Sequence, residues 1–215
     1  SSAASDVYKR QDTYDASGKI IETKEFHALD NNEIVACFNN FIGSQEQKPP
    51  IYSAIKVNGK KLYEYARAGE QVEVPTRSVT VNHLEILQIE NNLIKFKVGC
   101  SKGTYIRSLC YDLAKALGYP GHMKDLIRTK SGNFSLENCF TLEQIENGEY
   151  TTVSLEEALN SYQQLVVDDE KIIFHGKKIK SDLNEQVVIL NRQGKVLAMY
   201  GPDGNGYLKS IRGLW

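Results

Sequence analysis

The chain has 215 residues, 41% of them hydrophobic and 25% charged, enough to bury an apolar core as one large domain or a domain with a small appendix. No apolar run reaches the ~18 residues of a membrane helix, and the opening lacks the apolar stretch of a secretory signal, which excludes an integral membrane protein and gives no reason to expect export. The net charge of −1 excludes a bulk electrostatic case for nucleic acid, yet residues 95–130 sum to +6 and residues 131–170 to −9.

Residues 1–11, SSAASDVYKRQ, are small and polar without periodicity, and are expected to be a tag-like or artefactual segment outside the fold. Residues 12–18, DTYDASG, are turn-rich, with Asp12 and Asp15 shaping the turn. Ile34, Val35, Phe38, Phe41 and Ile42 make a helical stripe. A polar loop, GSQEQKPP, comes next; Pro49 and Pro50 forbid a helix there. Asn58-Gly59 is a turn signal. Beyond it Leu62, Tyr65 and Ala66 predict a short helix closed by Gly69. Residues 78–90 and 93–100 predict a hairpin, with Ile94, Phe96, Val98 and Cys100 on one face and Lys95 and Lys97 on the other.

From Thr104 a helix is predicted, with Ile106, Leu109, Cys110, Leu113 and Leu117 along one stripe and Gly118 and Pro120 at its end. Thr141 with Gln144, and Ser154 with Glu157, read as capping boxes. QVVILN and KVLAMY flank Arg192-Gln193-Gly194 as a hairpin, and GNGYLKSI reads as a further strand, so the end of the chain is a small all-β unit. Cys37, Cys100, Cys110 and Cys139 form no C-x-x-C pair and have no histidine at ligand spacing, so reduced thiols are expected rather than a disulfide framework or a zinc site.

Lys95, Lys97, Lys102, Arg107, Lys115, Lys124, Arg128 and Lys130 either form one local basic face, sufficient to release counterions from a polyanion, or are ordinary solvated side chains. The informative segment is GCSKGTYIR, Gly99 to Arg107, at the predicted strand-to-helix junction. Gly103 permits close backbone approach, and the helix start favours an anion. Tyr105 offers a stacking face and a hydroxyl, and Arg107 a bidentate grip. Those residues fit an anion-and-ring site, or equally a junction with a packed tyrosine and a surface arginine.

GCSKGTYIRSLCYDLAKALG, GHMKDLIRTKSGNFSLENCFTLEQI and KPPIYSAIKVNGKKLYEYARAGEQVEVPTRSVTV closely resemble the bacterial tRNA pseudouridine-55 synthase (TruB-type) family. DTYDASGKII, GKVLAMY and YLKSI match it too, so the resemblance runs over about residues 12–212. It implies an α+β fold: a mixed, mainly antiparallel sheet with flanking helices over residues 12–166, incomplete here, then a small PUA-like RNA-binding β-barrel over 167–215. A tRNA-clamping insertion is implied over about residues 44–76. Tyr105 would stack on the flipped uridine and act in proton transfer, Arg107 would pair with the catalytic aspartate, and Leu126 would pack the uridine. Lys56, Lys60, Lys61, Arg67 and Lys102 would contact RNA.

The implied reaction turns uridine 55 of the tRNA T-loop into pseudouridine. The N1–C1′ bond breaks, the base turns, and C5 joins C1′; no cofactor or metal is needed, only a carboxylate nucleophile, a cation to orient it and a stacking ring. The resemblance also implies a cytoplasmic monomer with no membrane partner. The family's nucleophilic aspartate belongs to a GHxGTLDPxAxGVL-like motif that these 215 residues lack. Neither Asp12, Asp15, Asp112 nor Asp125 sits in such a motif. The expectation is an N-terminally truncated fragment with no turnover of its own and an open strand edge; the alternative is a non-catalytic RNA-binding protein that keeps the clamp and barrel.

Overall fold

In the computed structural model, which describes residues 1–215, strands begin where none was expected: β1 (Ser2–Asp6) and β2 (Lys9–Gln11) precede β3 (Ile20–Thr23), which pairs with β2. Next come α1 (Asn31–Asn39), β4 (Gly43–Gln47), and the two-residue strands β5 (Lys56–Val57) and β6 (Lys60–Lys61). They are followed by α2 (Leu62–Ala68), β7 (Arg77–Glu90), β8 (Leu93–Cys100), α3 (Ile106–Ala116) and β9 (His122–Ile127). The main sheet runs β4-β7-β8-β1-β9 and is antiparallel at every pairing.

The segment expected to stand apart is therefore interior to the sheet, between β8 and β9. Its side chains are buried on both faces, Ala3 at 3% and Ser5 at 0% exposure on one and Ala4 at 6% on the other. A strand covered on both sides has no inside–outside alternation, so the periodicity that marks a half-buried strand never arises. Residues 44–47, read as part of a polar loop, form β4 on the sheet's edge. Gln45 and Gln47 turn inward there with polar side chains, which hydropathy does not register.

The β7–β8 hairpin forms as the sequence predicts. Ile94, Phe96 and Val98 are buried, while Lys95 and Lys97 point to solvent. The turn holds Asn91 at φ 49°, a left-handed conformation that asparagine tolerates. Against the sheet lie Ile34 and Phe38 of α1 and Leu109, Cys110, Leu113 and Ala114 of α3. The α1 stripe is shorter than predicted: the helix stops at Asn39, and Val35 and Ile42 are exposed. The helix over 62–68 ends as expected at Gly69, in the left-handed conformation at φ 68°.

Two-residue strands β10 (Lys130–Ser131) and β11 (Phe134–Ser135) close the first of two units, Ser1–Asn138. The second unit, Cys139–Trp215, contains α4 (Leu142–Glu146), α5 (Leu155–Ala158), β12 (Gln163–Val166), α6 (Glu170–Phe174), β13 (Ile179–Lys180), β14 (Val187–Leu190), β15 (Val196–Pro202) and β16 (Tyr207–Gly213). Its sheet, β12-β14-β15-β16-β13, curls as a half-barrel and has one parallel pair, β12 with β14. The compact units divide at 138/139, whereas the expected domain boundary lies at 166/167. β12 belongs to the later sheet, and Glu156 Oε1 accepts from the Val196 amide, so the acidic helical stretch packs with the strands of the second unit. Of the two predicted capping boxes, Thr141 and Gln144 bond reciprocally, whereas at Ser154 only the half in which its hydroxyl accepts from the Glu157 amide forms.

Candidate active site

β8 passes into α3 through Ser101-Lys102-Gly103. Gly103 takes φ 90°, a conformation that disfavours any side chain. Ser101 Oγ accepts from the Thr80 amide of β7, and Thr104 Oγ1 donates to the Ser101 carbonyl, so the turn is anchored to the neighbouring strand. Tyr105 stands next as the extended N-cap residue of α3, with no side-chain cap bond. Its side chain is half-buried and is not one of the core residues.

Three segments remote in sequence converge here. Gln47, at the end of β4 and buried, grips the Tyr105 backbone at two points: its Oε1 accepts from the Tyr105 amide at 2.8 Å, and its Nε2 donates to the Tyr105 carbonyl at 3.1 Å. Ser108 Oγ donates to the Lys48 carbonyl at 2.8 Å. Arg107 reaches across: Nη2 donates to the Tyr52 carbonyl at 3.0 Å and Nη1 to the Thr13 carbonyl at 3.4 Å. The root of the insertion and the 12–18 turn are thus both joined to the start of α3. Beside Tyr52, the Ser53 hydroxyl is buried without a partner.

The structure brings Tyr105 and Arg107 together with Gln47, Tyr52 and Thr13. Leu126 lies on β9 opposite Ala3 of β1 and is 40% exposed. Asp12 and Asp15 shape the turn, accepting from the amides of Lys19 and Ser17. Asp125 is exposed, and burial pushes the Asp112 carboxyl up to about 6.

In the insertion, Lys60 is paired with Glu70 at 2.9 Å and lies over the Tyr65 ring. Lys61 and Arg67 flank the Tyr63 ring at 5.4 and 5.2 Å. Lys56 and Lys102 are exposed. The sequence does not single out Gln47 or Ser108: one lies in a polar tract, the other is a lone hydroxyl on an apolar stripe. The inward alternation of Gln45 and Gln47 is the signal available for the first.

Known proteins share this architecture. Residues 2–106 match the family model for the TruB family pseudouridylate synthase N-terminal domain, and residues 107–167 match that for the tRNA pseudouridylate synthase B C-terminal domain. tRNA pseudouridine synthase B of Bacillus anthracis is 39% identical over 220 residues, covering 93% of this chain and 72% of that protein. Its counterpart in Oceanobacillus iheyensis is 42% identical over 218 residues, covering 94% and 72%.

Among solved structures, a Cbf5–Nop10–Gar1 complex aligns with a TM-score of 0.62 at 19% identity, covering 100% of this chain. An H/ACA RNP bound to a substrate RNA containing 2′-deoxyuridine aligns with a TM-score of 0.64 at 18% identity. At those identities the likeness is one of fold, and the chain spans 65% of the length of either solved chain. Sheet, junction and matches together define the class as pseudouridine synthases, which are isomerases. Within it, the chain belongs to the TruB family.

Proposed function

We infer that this chain binds the T-loop of tRNA, receives the everted uridine 55 at Tyr105, and contributes part of the uridine pocket, without its nucleophile. The relatives' name, tRNA pseudouridine synthase B, supports the substrate. The observation that carries the reading is the pinned Tyr105–Arg107 pair: a stacking ring whose backbone is held at both ends, two residues before a half-buried guanidinium. Taking a uridine out of its stack costs a few kcal/mol, and a preformed ring face offsets part of that.

Tyr105 supplies the stacking face and the hydroxyl that moves a proton at C5. Arg107 orients the attacking carboxylate, and Leu126 packs the base. Lys56, Lys60, Lys61, Arg67 and Lys102 meet RNA phosphates; for Lys60 that means exchanging its bond to Glu70. The protein acts as a monomer in the cytoplasm. No helix is long and apolar enough to cross a membrane.

The 215 residues alone do not turn over, because the carboxylate that attacks C1′ is absent. A pseudouridine assay on a T-loop stem-loop tests this. The chain as it stands should give no product. A longer chain carrying the GHxGTLDP-type segment of a relative should give product, and Tyr105→Leu in that longer chain should abolish it with little change in affinity. Turnover by the 215-residue chain overturns its assigned inactivity, and normal turnover by the tyrosine variant overturns the pocket. T-loop binding without product in the longer chain would favour a non-catalytic RNA-binding protein that keeps the clamp and barrel.

A further inference from the structure

Beside the turn that delivers Tyr105 lies a cleft of about 470 Å³ that the Tyr105–Arg107 pair does not use. Lys102 and Gly103 of the turn, Ile106 of α3, and Arg128 and Lys130 from the chain leaving β9 form much of its wall. No carboxylate lines it. Lys102, Arg128 and Lys130 take part in none of the ion pairs, whereas Lys60, Lys178 and Arg192 are each held by an acid. Like charges gathered round one cavity repel, and an anion between them relieves that.

A second feature points the same way. Ile106, in the cleft wall, is the first residue of α3, an eleven-residue helix whose N-cap offers no side-chain acceptor and whose first turn holds no acid. Its leading amides lack the anionic partner that a helix start favours. The space above Gly103 is open, with nothing within 4 Å of where a Cβ would stand, so a ligand can approach the backbone there.

We propose that this cleft seats a phosphodiester of the RNA strand, close to the nucleotide whose base stacks on Tyr105. The assignment rests on the T-loop reading above and extends it to Arg128 and Lys130. Thr104 and Ile106, the two neighbours of Tyr105, both line the cleft. A phosphate held there fixes the sugar–phosphate backbone beside the everted base.

The test uses the full chain, a T-loop stem-loop RNA, and dissociation constants measured across a salt series. Each of Lys102→Ala, Arg128→Ala and Lys130→Ala should weaken binding about fivefold at 0.1 M salt, and the three together should flatten the salt slope by about 0.7, the value for one contact to a single strand. The three side chains are exposed, so the core is untouched. Neutral methylphosphonates are then placed singly round the loop. One position should weaken the unaltered chain about fivefold yet leave the triple variant unaffected. Unchanged slopes with intact binding overturn the cleft and leave the T-loop reading standing; no binding by the unaltered chain overturns both. Flattened slopes without any methylphosphonate position that distinguishes the chains would show diffuse attraction, and would also overturn the seat.

Discussion

At the scale of single residues, the site depends on a side chain that does no chemistry. Gln47 satisfies both the amide and the carbonyl of Tyr105 from a buried position. Gln47→Leu keeps most of the bulk and removes both bonds; it should cost about 2 kcal/mol, measured by urea unfolding, because the backbone groups it leaves lose their partners. A cost below about 0.5 kcal/mol would mean the grip is not holding the junction. Asp112 provides a pH test. Burial raises its carboxyl to about 6 in the fold, above its value in the unfolded chain. The folded state therefore holds the proton more tightly, and stability should fall as pH rises from the ordinary carboxylate range through about 6. Asp112→Asn should remove that slope and stabilise the protein at neutral pH; an unchanged pH profile would place the carboxyl in solvent. Tyr105 and Arg107 are legible in the sequence because a long motif surrounds them. Gln47 is not, because a glutamine's partner is set by the tertiary fold.

Among the elements, β9 ends the main sheet. It pairs with β1 on one side, and on the other Met123 is bonded to the Tyr14 carbonyl and the Ala16 amide; beyond that bridge the strand exposes Leu126 at 40% and Ile127 at 55%. An open edge with apolar side chains invites pairing with a second copy. Ile127→Lys should suppress any association of this 215-residue chain at high concentration, read by sedimentation over a concentration series; equal association by both chains would acquit this edge. The β7–β8 hairpin and α3 can be read from the sequence because one side of each meets the core and the other meets water. β1 cannot, being covered on both faces, and β4 cannot, because its inward residues are polar.

For the whole molecule, each side of Asn138 has its own apolar core. One is built round Phe96, Phe38 and Leu109, the other round Tyr200, Leu197 and Ile189. Calorimetry should resolve two transitions, and Phe96→Ala should lower only the first unit's, by several degrees for a loss of about 3 kcal/mol; a single transition displaced as one would show the cores melting together. The all-β end is legible in outline, whereas the strand at 163–166 is not, since it forms by finding a parallel partner at 187–190. Arg107 joins three remote stretches through the carbonyls of Thr13 and Tyr52. Every amino acid carries a carbonyl, so evolution can replace the residues at 13 and 52 without unseating the guanidinium, provided the path of the chain is kept. Heredity therefore protects this arrangement through the shape of two loops and the identity of one arginine.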